Sequence, residues 1–146
     1  MREIRFGIIG CGLMGREFAS AAARWLHLVN PKAKPRIVAV CDTNPALMEW
    51  FSGHLGAIQT TTDYRALLAN PDVDAVYCAV PHVLHAELYP AILAAGKHLL
   101  GEKPFGMDAA QSATIAAAIK ARPDLLVRCS SEMPFYPGAQ KVVDFI

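Results

Sequence analysis

The stretch F-G-I-I-G-C-G-L-M-G, residues 6–15, places four glycines in and just after a short apolar run. Glycine weakens a strand or helix interior because it loses the most backbone entropy on folding. Glycines concentrated where a first strand meets a first helix therefore need a reason. Gly10, Gly12 and Gly15 have the spacing G-x-G-x-x-G. Between a strand and a helix, the first such glycine permits a tight turn and the second lets backbone approach a pyrophosphate. The third lets the helix pack closely on the strand. Free N–H groups of the helix's first turn, here from Leu13, Met14 and Gly15, then face the anion. The same spacing also occurs in plain structural turns, so the rest of the chain has to decide.

Outward from this stretch, short apolar runs alternate with helical segments. Residues 4–10 read as a first strand and residues 13–29, LMGREFASAAARWLHLV, as a long first helix. The segment NPKAKPR, residues 30–36, reads as a solvated loop leading into a second strand at 36–42. Asn44 as N-cap, with Pro45 at the first helical position, opens a second helix. A short strand at 57–61, a short helix capped by Asp63 and an apolar strand at 73–80 follow. Residues 85–96 form a helix stopped by Gly96, with Pro90 expected to kink it or limit its first turns. Residues 97–104 are a strand running into a loop, and Asp108 caps a helix that ends before Pro123. A sixth strand at 125–130 and the start of another helix at 137–146 complete the pattern. Strands alternating with helices, apolar throughout, predict an α/β fold: a doubly wound, mostly parallel six-stranded sheet with helices on both faces.

With 53% hydrophobic and 18% charged residues, the 146-residue chain can bury a core and does not read as disordered. Its net charge of +1 and scattered basic residues lack the electrostatic footprint of a nucleic-acid binder. No apolar run approaches a membrane span. The N-terminal MREIRFGIIGC sets basic residues before an apolar run, but that run is only about half a dozen residues against roughly 7–15 in a signal peptide. Export is not expected. Cys11, Cys41, Cys78 and Cys129 show no metal-ligand spacing. Each lies in or at the end of an apolar run, where a free cysteine acts as a small hydrophobe; a reduced, cytoplasmic setting is expected.

Ligands of such sheets bind beyond the carboxyl ends of the strands, and the polar residues that stand out fall there. Asp42 ends the second strand and is the candidate acceptor for the hydroxyls of an adenine ribose. It lies 27 positions after Gly15, against roughly 20 in the usual pattern. A long first helix and the 30–36 loop account for the excess. The alternative is a turn-forming aspartate in D-T-N-P. A carboxylate here repels a 2′-phosphate and Thr43 brings no cation, so NAD is expected over NADP. In AVPHVLH, residues 79–85, His82 and His85 stand three apart. Metal ligation lacks a third ligand nearby; contact with cofactor or substrate, and plain packing, both stay open. Glu102 and Lys103 end the fifth strand. The lysine there can bind polar cofactor atoms, stabilise a developing alkoxide or transfer a proton; a surface ion pair is the alternative.

Taken together, the segments at 7–15, 38–45, 61–87, 94–112 and 135–146 resemble the Gfo/Idh/MocA family of glucose–fructose oxidoreductase and inositol dehydrogenase. The E-K-P of residues 102–104 is the most specific match. The resemblance implies that residues 1–146 are a single NAD(P)-binding Rossmann domain. Residues 124–146 would be its last strand and the start of a connection to a C-terminal α/β substrate domain, through which homo-oligomers form. It implies hydride transfer between NAD and a hydroxyl-bearing carbon of a sugar, cyclitol or similar polyol. By the same resemblance Gly10, Gly12, Leu13, Met14 and Gly15 hold the pyrophosphate, and Asp42 with Thr43 the adenosine ribose. Ala79, Val80, Pro81 and His82 line the cofactor, with His85 nearby; Glu102 and Lys103 reach the nicotinamide ribose, and Lys103 faces the substrate as the catalytic residue. The family's proton-transferring histidine is expected beyond Ile146. A non-catalytic NAD(P)-sensing protein or a stand-alone nucleotide-binding module would use the same scaffold. Three departures from the family pattern stand out: His82 in place of asparagine, Gly101 in place of cysteine (expected to be a minor packing change), and Glu132 and Pro134 where asparagine and arginine are usual.

Overall fold

The computed structural model describes residues 1–144. Six parallel strands, β1 (Arg2–Ile9), β2 (Ala33–Cys41), β3 (Gln59–Thr61), β4 (Ala75–Cys78), β5 (His98–Glu102) and β6 (Val127–Ser130), form one sheet in the order β3-β2-β1-β4-β5-β6. The helices between them are α1 (Leu13–Ala23), α2 (Pro45–Leu55), α3 (Tyr64–Leu68), α4 (His85–Ala94) and α5 (Ala109–Ala121), with α6 (Pro137–Val143) after β6. The strand order reverses between β1 and β4, the switch point at which such sheets open a crevice.

Alternate strand residues feed two cores. Ile8, Val40 and Tyr77 pack with Ala19, Met48 and Phe51 of α1 and α2 on one face. Ile9, Ala39, Cys41, Val76 and Cys78 pack with residues of α3, α4 and α5 on the other. This period of two, apolar on both sides, is what a sheet covered twice requires. Asn44, Asp63 and Asp108 cap α2, α3 and α5 through side-chain acceptors, as their sequence context predicts.

The structure corrects the sequence reading in four places. The first helix ends at Ala23, and a 3-10 turn at Trp25–His27 takes up part of the segment read as helix. β2 begins at Ala33, inside the segment read as a loop, so the wide Gly15–Asp42 spacing comes from a turn and a long strand. Pro35 sits in that strand without breaking a ladder on both sides. It pairs with Ile4 of β1, and β3 joins β2 only from Ala39 onward, so here β2 is an edge, where proline is tolerated. α4 runs through Pro90 to Ala94, held by Leu88, Tyr89, Ile92 and Leu93 on its buried face. Cys129, read as one more small hydrophobe, is exposed on β6; Cys11, Cys41 and Cys78 are buried. The last two residues of the helix expected at 137–146 lie outside the described residues.

Candidate functional site

The turn after β1 shows why three of its glycines are glycines. Gly10 has φ +99°, and a β-carbon there would run into the Ala79 carbonyl of β4's extension. Gly15, in the first turn of α1, lies against the Gly10 carbonyl so closely that a β-carbon has no room. Gly12 differs: a β-carbon on it would meet nothing within 4 Å. That space opens in front of the first turn of α1, whose N-cap is Gly12 and which no side chain caps. The leading N–H groups of a helix have no intrahelical partner and carry the positive end of its dipole, which makes this mouth an anion cradle. Leu13 and Met14 stand exposed at its rim.

Asp42 ties β2 to that turn. Its Oδ2 accepts the Cys11 N–H at 2.8 Å and its Oδ1 accepts the Asn44 N–H at 2.9 Å. The turn-forming role weighed for Asp42 is therefore real, and the same carboxylate also lines the open groove beside Gly12. Burial, with Asp42 and Cys41 adding to it, pushes the Cys11 thiol up to about 12. The cysteine in the glycine turn is thus a neutral packing group that adds no negative charge at the anion cradle.

A groove of about 480 Å³ runs from Gly10 and Gly12 past Asp42 and Thr43, and between Ala79, Val80 and Pro81 on one wall and Thr62 and Tyr64 on the other. Leu47, Leu84, Glu87 and Leu88 complete it, with the Tyr64 hydroxyl donating to Glu87 at 3.3 Å. Thr62, Tyr64, Leu84 and Glu87 are residues that the sequence reading missed. Applying the strand-end rule to β3 as well would have found Thr62 and Tyr64.

The remaining singled-out residues fall at the ends of β4 and β5. His82 is exposed in a 3-10 turn at His82–Leu84, its ring edge-on to His85 with centroids 5.4 Å apart. His85 is fully buried; its Nδ1 faces the Pro104 carbonyl at 2.7 Å and its Nε2 the Val80 carbonyl at 3.2 Å. Glu102 is buried too, its carboxylate accepting the Tyr77 hydroxyl at 2.7 Å and the Lys103 N–H at 3.2 Å. Burial, and then the hydrogen bond to Glu102, raise the Tyr77 hydroxyl's pKa, so it stays a donor. Lys103 is exposed, and its ammonium makes no ion pair among the described residues. The Lys103–Pro104 peptide bond is cis. No group of three or more His, Cys, Asp or Glu among the described residues is arranged to hold a metal ion, and no described helix is long and apolar enough to cross a membrane.

The two departures near the chain's other end are satisfied within their own segment. Glu132 accepts the Tyr136 hydroxyl at 2.8 Å, and Pro134 sits in the 3-10 turn Met133–Phe135. At Gly101 the structure corrects the expectation of a minor packing change: a β-carbon there would come within 2.7 Å of the Tyr89 ring.

Comparison with known proteins agrees with this geometry. Residues 4–128 match the profile described as oxidoreductase family, NAD-binding Rossmann fold. Levoglucosan dehydrogenase of Pseudarthrobacter phenanthrenivorans is 32% identical over 121 residues, covering 82% of this chain and 31% of that protein. Inositol 2-dehydrogenase of Rhizobium meliloti is 32% identical over 143 residues, covering 97% of this chain and 41% of that protein. Among solved structures, a 3-ketoreductase from Actinomadura kijaniata in complex with NADP and TDP-benzene superposes with a TM-score of 0.81 at 32% identity, covering 99% of this chain and 42% of that one. The chain thus spans roughly a third to two fifths of the length of these relatives. A glycine turn on an uncapped helix, an acidic residue at the end of the neighbouring strand and a match over most of the chain lead to one assignment: this chain belongs to the Gfo/Idh/MocA oxidoreductase family, as its NAD-binding Rossmann fold.

Proposed function

We propose that this chain is the dinucleotide-binding part of an oxidoreductase that moves hydride between NAD and a hydroxyl-bearing carbon of a sugar, cyclitol or related polyol. The observation that carries the reading is the open space at Gly12 in front of the uncapped first turn of α1. A pyrophosphate fits there, because the backbone offers donors and no side chain fills the approach. When bound, the nicotinamide supplies the hydride chemistry. Gly10, Gly12, Leu13, Met14 and Gly15 hold the phosphates, and the lone pairs of Asp42 not taken by Cys11 and Asn44 accept ribose hydroxyls beside Thr43. Ala79, Val80, Pro81 and His82 line the far wall. Glu102 and Lys103 stand at the nicotinamide end, where the Lys103 ammonium stabilises negative charge developing on the reacting oxygen. His85 acts from behind this wall, through the Pro104 carbonyl.

NAD is the favoured cofactor. A carboxylate at Asp42 repels a 2′-phosphate, and Thr43 beside it carries no charge. The named relatives are two dehydrogenases and a ketoreductase, which favours an enzyme over a sensor. The substrate's other wall and the proton acceptor belong to the remainder of the full-length protein, as do its assembly contacts. A fluorescence titration with NADH and NADPH tests the reading: NADH is expected to bind more tightly, with no polyol-dependent turnover by this chain alone. Tighter NADPH binding overturns the cofactor assignment, and rapid reduction of NAD with a polyol overturns the division of labour.

A further inference from the structure

Lys103 lies between two backbone carbonyls that are both held by the same helix. Tyr89 is fully buried and donates its hydroxyl to the Glu102 carbonyl at 2.7 Å. His85, one helical turn earlier, places Nδ1 2.7 Å from the Pro104 carbonyl. Both carbonyls only accept and a neutral ring carries one N–H, so the shorter contact assigns that N–H to Nδ1, donating to Pro104. Residues four apart share a helix face, and the two rings stack with centroids 4.5 Å apart. Phe105 closes the group edge-on to Tyr89 at 5.2 Å. Glu102 fixes the Lys103 N–H from the strand side. The backbone on both sides of Lys103 is therefore bound by buried groups, while the lysine side chain is free to reach out.

The same helix face explains Gly101. Its ideal β-carbon would lie 2.7 Å from Cζ and 2.9 Å from the hydroxyl of Tyr89. The hydroxyl reaches the Glu102 carbonyl across space that any side chain at 101 would occupy.

We propose that His85 and Tyr89 are positioning residues that clamp the Lys103 backbone from α4, and that Gly101 and Tyr89 are a mutually dependent pair. The functional half of this proposal rests on the reading of Lys103 above. Its consequence is specificity within the dinucleotide: the clamp holds the nicotinamide end of the site and leaves the adenosine end alone.

The test compares NADH with ADP, which lacks both the nicotinamide and its ribose, in the whole chain and its Tyr89→Phe variant, together with amide hydrogen exchange. Tyr89→Phe keeps the ring and removes one hydrogen bond. It is expected to weaken NADH roughly three- to tenfold, to leave ADP within about twofold, and to speed exchange at the Lys103 amide about tenfold while Ile8 and Val40 in the sheet are unchanged. Equal loss for both ligands, or no loss with unchanged exchange at Lys103, overturns the clamp. If the unaltered chain binds no NADH, the proposed function fails, and the exchange measurement alone then decides the clamp. The pair is read separately: Gly101→Ala is expected to lower the thermal midpoint with Tyr89 present and to lower it less in a Tyr89→Leu background. Equal losses in the two backgrounds overturn the dependence.

Discussion

The two ends of this one parallel sheet treat charge in opposite ways. At the amino ends of the strands, Arg5 donates to both oxygens of Asp74, at 2.8 and 3.1 Å, and to Asp72 at 2.6 Å. Arg36 meets Glu3 at 3.4 Å, and Lys97 donates to the carbonyls of Asn70 and Val73. Every one of these cations has a partner, and together they bind β1 to β2, the β1 edge to β4, and β5 to the turn before β4. At the carboxyl ends, Lys103 is unpaired among the described residues, the first turn of α1 is uncapped and Gly12 faces open space. A hollow of about 720 Å³ lies at the amino end and is larger than the groove at the carboxyl end. Size alone would choose the amino end; the uncapped helix turn and Lys103 favour the carboxyl end. Hollows become sites when their polar groups lack partners, and the proposed function accordingly assigns stability to the amino end and binding to the end with the uncapped helix and Lys103.

Breaking the carboxyl end at its tightest point should have the largest effect. Gly10→Val forces a β-branched residue to a positive φ and drives its β-carbon into Ala79. A loss of roughly 3 kcal/mol or more in urea denaturation is expected, with binding of NADH abolished. Next, Asp42→Ala removes a charge-assisted bond to the Cys11 N–H. About 1.5–3 kcal/mol of stability is at stake, and NADH should weaken at least tenfold while NADPH weakens less, as titration of both would show.

The amino end predicts a pH effect without a binding effect. The hydrogen bond from Arg5 holds the Asp74 carboxyl at about 2, below its ordinary 3.8. Because the folded value lies below the unfolded one, this stabilisation is complete above about pH 4 and is lost as the pH falls toward 2. Asp74→Asn should flatten that part of the acid-unfolding curve and leave NADH affinity unchanged. The smallest expected effect is at the thiols. Burial pushes Cys41 up to about 11 and Cys11 and Cys78 up to about 12. A thiol reagent at pH 8 should therefore modify Cys129 alone in the folded chain, slowly, since its pKa is also raised.

What could be read from the sequence is what depends on neighbours along the chain. Caps at Asn44, Asp63 and Asp108, the glycines after β1 and the polar residues at the ends of β2, β4 and β5 are local signals, and the structure sets them at those helix starts and strand ends. What could not be read depends on contacts far apart in the chain. Pro35 looks like a loop residue until β3 is seen to stop short of it. His85 leaves cofactor contact and packing both open until both ring nitrogens are seen against carbonyls nineteen and five residues away. Gly101 looks like a small packing change until Tyr89, from another element, fills the place of its missing side chain.

The central claim is that the space at Gly12 receives a pyrophosphate, and Gly12→Val tests it most directly. Gly12 has φ −70°, and its β-carbon direction is empty, so valine should leave the fold and its thermal midpoint almost unchanged. Calorimetric titration should then show saturable NADH binding to the unaltered chain and none to the folded variant. Equal NADH affinity in the two proteins would contradict the account.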